Sequence, residues 1–241
     1  MEPVTRIFQD PETSVSVEKF IKPFFDPGIL TPEHKTCIAH ALNQLGQVPQ
    51  TFNGIDDSRF TSGKPELLLQ GTELANQLKR NFVRAIIYLF QSDESLLKGA
   101  VKAVMPCIIK CINDQLVQAG TENDLRTEST GVSIHKIVNN VPFALCKFFD
   151  HFGPRAFRSK QDPVEFAAWI EHEFNGRIHP LANGSGRTSR ALATWALARN
   201  GLLLPNYSSR EIFFEKLASP FPVWLDFYRK NQAEAQASAS F

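Results

Sequence analysis

Apolar residues along this chain recur mostly at helical spacing. Leu74, Leu78, Phe82, Ala85, Ile86 and Leu89 form one stripe, and the spacing predicts a helix from Glu66 to about Gln91. Ser92 to Ser95 reads as a cap cluster, and a second apolar run continues to Ala119 with Gly120 as its stop. Pro106 lies inside that run and predicts a kink or a split, because proline removes a backbone donor and crowds the preceding turn. Thr31-Pro32 opens an earlier helix that stops by Gly46. Pro142 to Phe152 is helical. Asp162-Pro163-Val164-Glu165 is the clearest helix start in the chain, with Asp162 as cap, and its helix is expected to end at Asn175-Gly176. Further helices are expected over Arg187 to Arg199, over Arg210 to Leu217 and from near Pro222, before a tail, NQAEAQASASF, that reads as frayed.

Two stretches break the helical pattern. Residues 47 to 65 hold Pro49, Asn53-Gly54, Gly63 and Pro65 and read as a loop. Thr121 to Asn140 is polar, with a Ser-Thr-Gly turn at 129 to 131 between marginal strands, which predicts a short β-hairpin. Such a hairpin is barely stable alone and needs a surface or a partner. Residues 1 to 30 read as an arm with one short helix near Ser14 to Phe20. The expected fold class is all-α with one short β-hairpin. The expected organisation is an N-terminal arm over 1–65, a core over 66–218, and a C-terminal helix and tail over 219–241.

Composition narrows the function classes. A net charge of +1 over 241 residues gives no broad footprint for nucleic acid or an anionic membrane. The densest basic run, Arg155, Arg158 and Lys160, reads as a solvated loop. Twenty phenylalanines against three tyrosines predict a Phe-rich core. Cys37, Cys107, Cys111 and Cys146 form no CxxC pair and lack histidines at ligand spacing, so they read as free thiols in a reducing compartment. No stretch reaches the roughly 18 apolar residues that a membrane span needs, and no basic region precedes an apolar leader.

Candidate chemistry concentrates in HPLANGSGRTSR, His179 to Arg190. Gly184, Ser185 and Gly186 lie between a loop and the first turn of a helix. The leading amides of a helix have no partner within it and carry the positive end of its dipole. Glycines let such amides approach an anion closely. Arg187 and Arg190, three residues apart on one face, suit a diphosphate beside that nest. His179 is a competent base near neutrality. A Gly-Ser-Gly turn is also a common cap, exposed helices carry arginines, and a lone histidine is more often structural; only the combination within twelve residues favours phosphoryl chemistry. A P-loop is excluded, with Leu181 where its first glycine belongs and arginine rather than lysine at 187. HExxH is absent.

The run resembles the signature of Fic-domain proteins, H-P-F-x-[D/E]-G-N-G-R-x-x-R, with six identities: His179, Pro180, Gly184, Gly186, Arg187 and Arg190. Glu171-His172, Phe174 and Ile178 before the motif, Leu125-Arg126-Thr127 as the start of the family's flap, and the Val141-Pro142 helix after it extend the resemblance over about residues 70 to 205. It implies a mainly helical domain that transfers a nucleoside monophosphate, AMP or UMP, from a nucleoside triphosphate to a Ser, Thr or Tyr hydroxyl of a target protein. His179 would deprotonate the hydroxyl. Asn183, Gly184, Ser185, Gly186, Arg187 and Arg190 would hold the phosphates. The flap residues Arg126, Thr127, Val132 and Ile134 would dock the target segment by strand addition. Magnesium is implied, with Asn183 as a weak ligand because an amide oxygen brings no charge.

Departures from the pattern open alternatives. Asn183 stands at the acidic position, Ser185 replaces the asparagine between the glycines, and Leu181 replaces the core phenylalanine. Relatives with altered motifs transfer phosphocholine or phosphate, or transfer nothing, so those activities and a Fic-fold binding module stand as alternatives. Ser14 to Lys19 loosely matches the family's inhibitory helix pattern, which would make Glu18 an autoinhibitory partner of Arg190. The resemblance places such a chain in the cytoplasm, or in a host cell as a translocated bacterial effector or toxin.

Overall fold

The computed structural model describes residues 29–47, 71–126 and 141–239. Residues 1–28 of the expected arm, with Glu18, residues 48–65 of the expected loop and the flap residues Thr127, Val132 and Ile134 lie outside the described residues; Gln47, expected in the loop, ends the first helix.

Among the described residues the chain is mainly helical and holds no sheet. The elements are α1 (Pro32–Gln47), α2 (Gly71–Gln91), α3 (Asp93–Leu97), α4 (Val101–Asn113), α5 (Val141–Arg158), α6 (Pro163–Ile170) with a π-helical continuation (Glu171–Ile178), α7 (Ser185–Ala198), α8 (Arg210–Leu217) and α9 (Phe221–Ala239). The expected hairpin over 121–140 is not shown among the described residues; Leu125 instead forms an isolated antiparallel bridge with Leu181.

Helix α7 is the axis of the fold. It packs against α1, α2, α4, α6 and the π-helix. All of its residues except Gly186 are buried. Ala191, Ala193, Ala196 and Ala198 keep its surface thin, so that neighbours approach closely, while Leu192, Trp195 and Leu197 fill the gaps between them. The phenylalanines do form a core. Phe148 stacks on Trp169 at 4.9 Å, and Phe152 meets Phe166 edge to face at 5.2 Å. Trp195 donates its indole N–H to Asp93 at 3.0 Å, which also pairs with Arg199. Cys37, Cys107 and Cys111 are buried free thiols, and burial pushes Cys111 up to about 12.

Several boundaries differ from expectation. The run from Ser92 to Ala119 does not break at Pro106, which rides inside α4. It breaks at Gly99, whose φ of +86° no α-helix accommodates. The α5 helix crosses Gly153 and Pro154, so Arg155 and Arg158 ride its last turn rather than a loop. Gly153 faces Gly99 so closely that a Cβ on it would lie 2.7 Å from the Gly99 Cα. Asp162 caps α6 as expected, accepting the Glu165 amide at 2.8 Å. Asn175-Gly176 does not stop that helix, which runs on to Ile178 in π register. The tail is not frayed through Ala239: Ala235 is buried and Gln236 accepts the Leu203 amide at 3.0 Å.

Candidate active site

The site is built where the π-helix, the loop from His179 to Gly184 and the start of α7 meet. His179 ends the π-helix with φ +45° and ψ +62°, a left-handed conformation that costs a non-glycine residue about 1–3 kcal/mol. Its peptide is held on both sides. Arg126, 6% exposed, donates Nε to the His179 carbonyl at 2.8 Å and Nη2 to the Ile178 carbonyl at 3.1 Å. The Arg126 amide donates to the Pro180 carbonyl at 2.9 Å, and the Ala182 amide to the Asp124 carbonyl at 2.9 Å. The described part of the flap is thus a brace for the histidine. The Arg126 side chain, expected to dock a target, is turned inward, and burial lowers its pKa.

The His179 ring is half-buried, and its Nδ1 lies 3.1 Å from the Asn175 carbonyl oxygen. A carbonyl only accepts, so Nδ1 carries the proton of the neutral ring and Nε2 carries the lone pair. That is the tautomer a base acting through Nε2 requires.

Gly184 caps α7 with φ +91° and offers no side chain to its first amides. A Cβ there would fall 2.7 Å from Asn113 Oδ1. The helix begins at Ser185, two residues earlier than expected. Ser185 is buried, and its Oγ accepts the Leu181 amide at 3.0 Å, stapling the loop onto the helix. Gly186 stays partly open, with only the Asn175 side chain close to its missing Cβ. The amides of Ser185, Gly186 and Arg187 therefore keep the unfilled, positively polarised character of a helix start.

The two arginines do not converge. Arg187 is buried, and its guanidinium donates to the Ile112 carbonyl at 3.1 Å, Asn113 Oδ1 at 3.2 Å and Asn183 Oδ1 at 2.6 Å. Desolvation lowers its pKa to about 10, so it remains a cation at neutral pH. It acts as a fixed charge beneath the loop. Arg190 lies over the Tyr207 ring at 5.1 Å and the Phe213 ring at 5.5 Å. Its Nη1 is buried without a hydrogen bond among the described residues, as are Glu171 Oε2 and the Tyr207 hydroxyl.

Asn183 is fastened at both ends, its Oδ1 to Arg187 and its carbonyl to Asn113 Nδ2 at 3.1 Å. This donor set does not fit a magnesium ion. A cation on Oδ1 would face a guanidinium already bonded to that oxygen.

Residues 106–197 match the model of the Fic/DOC family. That match supports a Fic domain over these residues. No curated protein matches the chain. A Fic domain points to group transfer in general and, by itself, to no particular donor. The match spans α4 from Pro106, the bridge at Leu125, α5, α6, the π-helix and nearly all of α7. No helix among the described residues is long and apolar enough to cross a membrane.

Two participants in this site escape sequence reading, and a third is read in another role. Asn113 falls in mid-run on the sequence, yet it closes α4 and ties Arg187, Asn183 and the Glu122 carbonyl together. Asn175 reads as a helix stop and instead orients the histidine. Arg126, expected to dock a target, is instead the clamp. Only Asn175 leaves a trace in the sequence: a proline follows five residues on.

Proposed function

We propose that this Fic domain transfers a nucleoside monophosphate, AMP or UMP, to a Ser, Thr or Tyr hydroxyl of a protein. The observation that carries the reading is the half-buried His179 ring, its proton fixed on Nδ1, beside a helix start whose cap residue supplies no side chain. His179 Nε2 removes the hydroxyl proton as the oxygen attacks the α-phosphorus. A new O–P bond forms, the bond to the bridging oxygen breaks, and pyrophosphate leaves with that electron pair. The amides of Ser185 to Arg187 and the buried charge of Arg187 offset the charge gathering on the departing group. No step is assigned to a metal ion.

A second reading, a binding module without chemistry, gains support from the arginines. Arg187 is spent on loop contacts and Arg190 is stacked on rings. Phosphocholine or phosphate transfer at the same site differs only in the donor.

The full chain, incubated with cell lysate and α-labelled ATP, UTP, GTP, CTP or labelled CDP-choline, with and without magnesium, separates these readings. Label on a protein that disappears with His179→Ala is the expected result. General-base loss typically costs about 10²–10⁴-fold. Label that survives His179→Ala rejects the mechanism, and no label from any donor favours the binding module.

A further inference from the structure

The π-helix before His179 has a consequence for the ring. In α register the His179 amide would donate four residues back, to the Asn175 carbonyl. In the structure it donates five residues back, to the Phe174 carbonyl at 2.9 Å. In that wider register the donor due to Asn175 is the amide of residue 180. Residue 180 is a proline and has no N–H. The Asn175 carbonyl thus loses both of its helical donors. It belongs to a buried residue, where an unpaired backbone oxygen is costly, and it takes the His179 Nδ1 proton instead.

We propose that the π-helical turn and Pro180 act together as a positioning device that sets the tautomer and direction of the His179 ring. Pro180 and the Asn175 carbonyl are positioning residues. This rests on the reading of His179 as the base. The turn widens the helix by one residue and frees the oxygen; the proline keeps it free. Arg126, bonded to the carbonyls of Ile178, His179 and Pro180 through side chain or amide, holds the left-handed turn that carries the ring back over Asn175. π-Helical segments concentrate at functional sites, and this eight-residue one frees the Asn175 oxygen for the ring.

The test is imidazole nitrogen NMR on the full ¹⁵N-labelled chain above the titration range of the ring, with His179 assigned by the signal lost in His179→Ala. Wild type is expected to show the proton on Nδ1. Pro180→Ala restores an N–H that competes for the Asn175 carbonyl. Its ring is expected to become a mixture of tautomers, while kcat of label transfer falls about 10–100-fold and KM for the nucleotide stays within about twofold. Asn175→Ala keeps the carbonyl and is expected to keep the wild-type tautomer. The proposal is overturned by a wild-type ring protonated on Nε2, by an unchanged tautomer in a folded Pro180→Ala, or by a tautomer that moves with the Asn175 side chain. If Pro180→Ala does not fold, the wild-type spectrum and Asn175→Ala decide. A wild-type ring protonated on Nδ1 in a chain that labels nothing rejects the transfer reading and leaves the ring geometry standing.

Discussion

At the scale of single residues, the site is held by exchanges between backbone groups and a few side chains that sequence spacing does not pair. Gly184 is the sharpest case. Its φ of +91° is open to glycine, and its missing Cβ leaves room for Asn113 Oδ1, which in turn receives Arg187. Gly184→Ala adds strain of about 1–3 kcal/mol and pushes Asn113 off Arg187. The expected outcome is a lower urea midpoint together with weaker binding of ATP or UTP, measured by titration calorimetry. Unchanged stability and binding would show that the loop has slack the present geometry does not give it. The glycine and its neighbours were legible as a cradle. Asn113 was not, because it lies 70 residues before Asn183 and meets it only through packing.

At the scale of elements, the local signals that name a physical partner held, and those that name only a tendency did not. Asp162 has a definite task, accepting the Glu165 amide, and the helix starts where the sequence places it. Asp162→Ala is expected to cost about 1 kcal/mol by thermal or chemical unfolding, since one leading amide loses its acceptor. Asp162 also pairs with Arg229 of α9, so Asp162→Asn, which can still cap, separates the cap from the ion pair. A loss in Asn as large as in Ala would assign the effect to Arg229. Pro106 and Gly176 are tendencies. Pro106 sits within a buried α4 whose packing holds the helix together, and Gly176 continues the π-helix because its bare face lies against Leu217. Tertiary contact outweighs propensity at both.

At the scale of the whole molecule, burial sets the behaviour of the charged groups. Glu171 is fully buried with Tyr228 near one oxygen at 3.4 Å. Burial raises its pKa, and the charge of Arg190 opposes this only in part. The native carboxyl titrates above the unfolded one, so between the two values the native state binds more protons. Stability is then greatest below the unfolded pKa and declines as pH rises through that window. Glu171→Gln removes this dependence. The melting temperature of the variant relative to wild type is therefore expected to rise as pH moves from about 4 towards 8. A difference that is flat or falls with pH would mean that the Arg190 charge governs the carboxyl. The same burial explains why the two arginines of the motif behave differently: Arg187 finds three oxygens and Arg190 finds aromatic faces.

The sequence by itself determined the helical class, the capped start of α6, the glycine-bearing start of α7, the Phe-rich core and the motif that the family match covers. These depend on periodicity, on capping chemistry and on residue types within a turn or two, all of which are local. Tertiary structure alone decided the π register before His179, the inward turn of Arg126, Arg187 and Ser185, the divergence of the two arginines and the order of α9 through Ala239. Each of these turns on which distant oxygen, ring or cavity a group meets once water is excluded. That choice belongs to the packed molecule and not to any stretch of chain.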